Sequence, residues 1–337
     1  MGYNHSAVDL FDRLRHFDIL SHFSGDHLDL FCQCTSRVSF DAEQNILSEG
    51  DSGRDLFLLE SGQVKITRST PYGKYKLAVL ASGSMFGETS FIDAEARSGD
   101  ARTIEDTVVY QTSAEALDGV IQGNQRFAMA LYWTLWKSMS QKLRITNDVL
   151  AQFFSKGGPK PPSSPQMDEA SGEFKVGIGA KMELFRQQAL SPMEIKFLAS
   201  LSKEKKFDAG EFIFREGEDG DRLYVVLDGR VMISKQIVGA GEEALAFLER
   251  GDYFGEMALI DNKPRSADAK ASDQGAVVLT ITREVLEGIL DIQKVSSLRL
   301  LRLLCGLIAK RLREIDDKLV GWFIFSAGSG DSLGLPS

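Results

Sequence analysis

The chain has 337 residues, 43% of them hydrophobic and 26% charged, a globular composition that excludes a largely disordered or fibrous polypeptide. At ~150 residues per domain, this length predicts two domains, each able to bury its own core. Lys plus Arg number 39 against 48 Asp plus Glu, for a net charge of -9. That balance excludes general binding to nucleic acid or anionic membrane, whereas a small anionic ligand needs only local cations.

In chain order, the N-terminus lacks a basic start followed by a continuous apolar run, so no signal peptide is expected. No later stretch approaches the ~18 apolar residues of a membrane span. A first domain is expected over residues 15–154. Its short β-branched and aromatic runs, such as Val64-Lys65-Ile66-Thr67, alternate apolar and polar residues between glycine-containing turns, as half-buried strands do. It closes on a helix whose apolar stripe is Leu131, Leu135, Met139, Leu143, Leu150 and Phe154.

Residues 155–173 hold Pro159, Pro161, Pro162 and Pro165 among glycines and serines, and predict a flexible linker. A second domain is expected over 178–320, with strands at Leu223–Leu227, Val231–Ile233, Ala244–Leu248 and Ala276–Ile281. Its closing helix carries Leu301, Leu304, Ile308, Leu312, Ile315 and Leu319 on one face. Both stripes must be buried, against their own barrels or against a helix of another subunit, which leaves a homodimer open. Residues 321–337 form a tail whose apolar cluster, Trp322 to Phe325, is expected to close its own core. Cys32, Cys34 and Cys305 cannot make a paired framework and show no CxxC spacing, which predicts a reducing, cytoplasmic setting.

The two halves repeat one another. Phe40-Asp41 matches Phe207-Asp208, Glu49-Gly50 matches Glu216-Gly217, and Gly53, Gly62 and Val64 match Gly220, Gly229 and Val231, all at an offset of 167. Past the next hairpin the offset becomes 168: Phe86-Gly87-Glu88 answers Phe254-Gly255-Glu256, and Arg97-Ser98 answers Arg265-Ser266. One residue has been added in a loop. Gly50, Gly53, Gly62, Gly217, Gly220 and Gly229 are read as turn residues that permit positive φ, not as ligand contacts. The fold class expected is α+β, with two tandem β-barrel (jelly-roll) domains, each flanked by helices, joined by the proline-rich linker.

The chemistry concentrates at Phe254-Gly255-Glu256-Met257-Ala258-Leu259, followed by Pro264-Arg265-Ser266-Ala267. A short helix after a glycine presents unpaired amides that suit a phosphate, and Arg265 adds a forked, charge-assisted contact with Ser266 donating a hydroxyl. Glu256 is suited to accept hydrogen bonds from ribose hydroxyls. Arginine for phosphate and glutamate for ribose describe a nucleotide sugar-phosphate site.

These residues resemble the phosphate-binding cassette of tandem cyclic nucleotide-binding domains, the family of bacterial cyclic-AMP receptor proteins and protein kinase regulatory subunits. The resemblance implies that Arg265 holds the cyclic phosphate and Glu256 the ribose 2′-hydroxyl. Gly255 and the amides of Met257 and Ala258 would line the cassette, and Ser266 and Ala267 would complete it. In the first copy it implies the same for Gly87, Glu88, Thr89, Ser90, Arg97, Ser98 and Gly99. There Thr89-Ser90-Phe91 replaces small and aliphatic residues, Ala96 replaces Pro264, Gly99 replaces Ala267, and Asp93 and Glu95 bring negative charge near Arg97. Arg97 and Glu88 pairing with one another or with neighbours in a degenerate cassette is the competing reading. The resemblance also implies that the closing helix folds over the base as a lid, with second-site contacts from within Leu298 to Leu312.

The ligand implied is a cyclic nucleotide, cAMP favoured over cGMP, with no cofactor besides. The resemblance associates Thr after the cassette arginine with guanine and Ala with adenine, and Ser98 and Ser266 fall between them. All four histidines, His5, His16, His22 and His27, precede the first repeat's strands, so neither a cupin-type metal cluster nor a histidine base is expected, and no catalytic residue is assigned. Only Gly321 to Ser337 follow Val320, so the helix-turn-helix of a transcription factor of this family is not expected. The chain has no Arg-Arg dipeptide of the pseudosubstrate kind. The function expected is a non-enzymatic allosteric signalling receptor acting on an unidentified protein partner, with no nucleic acid and no membrane span. The alternatives are a ligand-independent scaffold with degenerate barrels, or a sensor of cGMP or another cyclic nucleotide.

Overall fold

A computed structural model describes residues 5–154, 177–186, 192–237, 241–290 and 298–328. The expected linker, 155–173, lies outside the described residues. The chain opens with α1 (His5–Leu14), a 3-10 turn at Asp18–Leu20 and α2 (Gly25–Gln33). Next come β1 (Thr35–Phe40), β2 (Asn45–Leu47), β3 (Leu56–Ser61), β4 (Val64–Thr70), β5 (Gly73–Leu80), β6 (Met85–Phe86), α3 (Glu88–Asp93), β7 (Asp100–Thr103) and β8 (Thr107–Thr112). Helices α4 (Ala114–Gly123) and α5 (Gln125–Phe154) close the first repeat.

The second repeat runs through α6 (Ile178–Arg186), α7 (Pro192–Leu201), β9 (Lys203–Phe207), β10 (Phe212–Phe214), β11 (Arg222–Ile237), β12 (Gly241–Leu248) and β13 (Tyr253–Phe254). It ends in α8 (Glu256–Asp261), β14 (Asp268–Thr282), α9 (Arg283–Ile289) and α10 (Leu298–Gly328).

In the first repeat the strands form two antiparallel sheets, ordered β1-β8-β3-β6 and β2-β7-β4-β5. Both sheets feed one core: Phe57, Leu59, Phe86 and Val109 come from one, Val64 and Ala101 from the other. In the second repeat the order is β10-β14-β11-β12, with β13 on β11 and β9 on β14, around Phe214, Tyr224, Val226, Val231, Phe254 and Val278. The runs 223–227 and 231–233, expected as separate strands, are two parts of one long strand. The pairing of β11 with β14 shifts register on either side of Gly229, so the strand bends there instead of ending.

The chain divides into two compact units: residues up to Met139 together with those from Ile308 onward, and Ser140–Leu307. This differs from the consecutive division at 15–154 and 178–320 expected from sequence. The reason is helix length. Helix α5 has 30 residues, ~45 Å at 1.5 Å per residue, well beyond the ~30 Å diameter of a small domain. Leu131, Leu135 and Met139 are buried in the first unit and Leu143 in the second; on α10, Leu301 and Leu304 are buried in the second and Ile308, Leu312, Ile315 and Leu319 in the first. Packing on its own repeat thus holds only for the part of each helix before Ser140 on α5 and before Ile308 on α10. The side chains of Leu150 and Phe154 lie outside the described residues.

Helix α10 also continues to Gly328, past the expected domain end at Val320. Phe323, expected to close a core, packs on Tyr75 at 4.9 Å between ring centroids, both within the first unit. No described helix is long and apolar enough to cross a membrane. None of the three cysteines forms a disulfide.

Candidate nucleotide-binding cassettes

Each cassette begins with a glycine in left-handed conformation, Gly87 (φ 87°, ψ 1°) and Gly255 (φ 81°, ψ 5°), which caps a six-residue helix headed by Glu88 or Glu256. Glycine is needed twice over. The backbone is one that other residues rarely adopt, and a Cβ would stand 2.9 Å from Nη1 of Arg97 or 2.7 Å from Nη1 of Arg265. The first amides of such a helix have no intrahelical acceptor. Ser90, Met257 and Ala258 are buried in these first turns, and Thr89 is half-buried.

The two arginines are held alike. Arg97 N–H donates to the carbonyl of Asp51 at 2.8 Å, and its own carbonyl accepts from the amide of Gly50 at 3.0 Å. Arg265 N–H donates to Glu218 at 2.8 Å and its carbonyl accepts from Gly217 at 2.9 Å. The repeated Glu-Gly dipeptides are thus the turns that pin the arginine backbone.

The guanidiniums are then aimed by carbonyls. Arg97 donates from Nη1 to Gly87 at 3.0 Å and from Nη2 to Asp55 at 2.8 Å. Arg265 donates from Nη1 to Gly255 at 2.6 Å and from Nη2 to Arg222 at 3.1 Å. Asp55 and Arg222 occupy matching positions with opposite charge, so it is the main-chain carbonyl that the site uses. Both arginines are buried, at 4% exposed, and Nε of each has no hydrogen-bond partner.

Burial pushes both arginines below the ordinary arginine range. Asp55, Glu88 and Asp51 pull Arg97 back, and Tyr224, Glu256 and Asp221 pull Arg265 back. A buried cation fastened by neutral carbonyls, with an N–H left over, has the chemistry to receive an anion. Of the competing reading, in which the two residues pair with one another or with neighbours, the neighbours are what is seen: Arg97 on two carbonyls and Glu88 on Ser138. Glu88 is 2% exposed and its Oε1 accepts from Ser138 Oγ at 2.5 Å, while Glu256 is 3% exposed. Asp93 and Glu95, expected to burden Arg97, lie 2.6 Å and 3.7 Å from Arg313 instead.

Ser98, Gly99 and Ser266 are half-buried and Ala267 is buried at the start of the following strand. Ser266 Oγ lies 3.5 Å from the Met257 sulfur. Gly99 in place of alanine has a steric reason, since a Cβ there would stand 2.6 Å from the carbonyl oxygen of Thr67.

Several contributors escape sequence reasoning. Phe57 stacks on Phe86 at 5.1 Å, and Tyr224 on Phe254 at 5.0 Å, one pair in each repeat. Arg97 Cζ lies 6.0 Å from the Phe57 ring; Arg265 Cζ lies 4.2 Å from Phe214 and 5.6 Å from Tyr224. The signal available was an aromatic residue at 57 and 224, in repeat register.

Gly53 and Gly220 correct the turn reading, because neither has positive φ. A Cβ on Gly220 would stand 2.4 Å from Ala258 Cβ and 2.8 Å from Arg265 Cζ, so glycine there makes room for the arginine. Gly50, Gly62, Gly217 and Gly229 do have positive φ.

The cyclic nucleotide-binding domain family matches residues 37–124 and 204–293, together more than half of the chain. The chain belongs to this family. The cGMP-dependent protein kinase egl-4 of Caenorhabditis elegans is 24% identical over 274 residues, which cover 81% of this chain and 29% of the kinase. The Cyclic AMP receptor protein of Thermus thermophilus is 33% identical over 130 residues, 39% of this chain and 58% of that protein. The chain thus spans less than a third of the kinase's length. Among solved structures, the regulatory domain of Toxoplasma gondii PKA with cAMP aligns over 88% of this chain and 97% of that one, at 17% identity and a TM-score of 0.33.

Proposed function

We propose that this chain is a non-catalytic receptor that binds a cyclic nucleotide in both cassettes and passes occupancy to a protein partner through its closing helices. The observation that carries this is the pair of buried arginines, each aimed by two carbonyls and each with Nε unpartnered. Arg265 and Arg97 take the cyclic phosphate. Glu256 and Glu88 accept from the ribose 2′-hydroxyl, and the first-turn amides complete the phosphate cradle.

We favour cAMP over cGMP, because neither Ser98 nor Ser266 is the threonine associated with guanine. No catalytic residue is assigned, because all four histidines precede the strands. The work of the ligand is conformational, through differential affinity for two arrangements of the closing helices.

Mass spectrometry of nucleotide released from the purified chain, with thermal unfolding in added cAMP and cGMP, tests the reading. Released or stabilising cyclic nucleotide, cAMP above cGMP, supports it. No stabilisation by any cyclic nucleotide would overturn it and favour the scaffold alternative.

A further inference from the structure

Two of the four histidines, His22 and His27, join the N-terminal helices to α5. Ser24 caps α2, and His27 stands three residues on, where a capping box takes Glu or Gln. The His27 amide donates to Ser24 Oγ at 3.3 Å, and its ring Nδ1 accepts from the Ser24 amide at 3.4 Å. Only a neutral imidazole keeps a lone pair for that bond, so a proton on Nδ1 removes one half of the box. The ring is buried and meets Phe23 and, on α5, Phe127 edge-on, each at 6.2 Å between centroids. Phe23 in turn packs on Phe31 and Phe127 at 5.4 and 5.6 Å.

A second imidazole meets α5 six residues further on, ~9 Å along its axis. Half-buried His22 lies over Trp133 at 5.5 Å, with 30° between the ring planes. One turn beyond, Lys137 Nζ donates to the carbonyl of Asp18 at 3.4 Å. The charges acting on His27 are Asp26 on α2 and Arg126 on α5, and the charge acting on His22 is Lys137. Burial first, and Lys137 after it, holds His22 below the ordinary histidine value of 6.5; burial holds His27 below it as well, with Asp26 opposing and Arg126 assisting. All of these residues belong to the first unit.

We propose that the joint between α2 and the first turns of α5 is a proton-operated latch, closed while His22 and His27 are neutral and opened by their protonation. Protonation puts charge into an aromatic bed, takes the acceptor from the capping box, and sets two cations beside Arg126 and Lys137. The open form therefore binds more protons. The closed form has its full advantage above pH 6.5 and loses it as pH falls from there through the folded values. Lys137 is followed directly by Ser138, which donates to Glu88 at the head of the first cassette. On the nucleotide reading above, opening the latch loosens the helix that holds this carboxylate, and acid weakens the first site.

The test is NMR titration of the histidine rings and hydrogen exchange of the α2 amides in the full chain, between about pH 7.5 and about pH 5.5. His22→Phe with His27→Gln keeps an aromatic ring on Trp133 and an acceptor in the capping box, but titrates at neither position. In wild type both rings should titrate below 6.5, and α2 protection, corrected for intrinsic exchange, should fall by up to about tenfold per pH unit for each histidine. The double variant should keep its protection across the range. Lys137→Gln should raise the His22 titration and leave that of His27 in place. Rings titrating at 6.5 or above, or equal loss of protection in wild type and the double variant, would overturn the latch. Calorimetry with cAMP in Arg265→Ala, which leaves the first site, should show weaker binding at the lower pH, and equal binding at both once the histidine substitutions are added. A first-site affinity independent of pH would overturn the link to the cassette, and no binding at either pH would overturn the nucleotide reading while the latch stands on its own titration.

Discussion

Ser138 Oγ donates to Glu88 Oε1 at 2.5 Å, fastening the closing helix of the first repeat to the carboxylate that heads its cassette. Both residues are buried, at 4% and 2% exposed, so the carboxylate has exchanged water for a protein donor. Ser138→Ala removes that donor and should lower stability by about 1–3 kcal/mol, read as a lower denaturant midpoint with an unchanged slope. A midpoint equal to that of wild type would show that Glu88 is satisfied without the serine.

The glycines beside the two arginines separate space from backbone conformation. Gly220→Ala puts a methyl within 2.8 Å of Arg265 Cζ and should abolish binding at the second site, whereas at Gly53 the nearest atom, Arg97 Nη2, is 3.6 Å away. Gly53→Ala should therefore leave first-site affinity within about twofold, a fraction of the 1.4 kcal/mol that makes a tenfold change. Equal effects of the two substitutions in a binding titration would contradict this.

Two matching aspartates should respond oppositely to pH. Asp100 is pushed up by burial, but Lys74 at 2.5 Å and the Glu49 amide at 2.9 Å outweigh that and leave it below the ordinary carboxylate value of 3.8. Asp268 has the matching amide bond from Glu216, but Glu242, in the ladder position that Lys74 fills in the first repeat, raises it further beyond the effect of burial. A depressed folded value contributes stability above pH 3.8 that is lost as pH falls through it. A raised value contributes stability below pH 3.8 that is lost as pH rises through it. Asp100→Asn should thus cost about 1 kcal/mol at pH 7 and nothing in strong acid, since Lys74 is half exposed and the pair is partly screened. Asp268→Asn should be neutral or stabilising at pH 7. Unfolding curves against pH check both, and parallel curves would refute the assignment.

The cassettes were legible because their chemistry is local: glycine, glutamate and arginine at a fixed spacing, found twice in constant register. The glycine turns at 50 and 217 were legible as turns, but their task of pinning Arg97 and Arg265 depends on hydrogen bonds across more than forty residues. Phe57 and Tyr224 read as ordinary strand aromatics, since a sequence shows which face is apolar and not which cation lies against it. The helix stripes raised the same difficulty at larger scale. Their length and periodicity showed that Leu143 and Ile308 must be buried, but not that each would be buried in the unit of the other repeat.

The most direct measurement is binding stoichiometry in single and double arginine variants, by calorimetry with cAMP. Wild type should bind two equivalents, Arg97→Ala and Arg265→Ala one each, and the double variant none. Loss of a buried cation should cost about 2–5 kcal/mol at each site, roughly thirtyfold to several thousandfold in affinity. Two equivalents bound by the double variant at wild-type affinity would contradict the account.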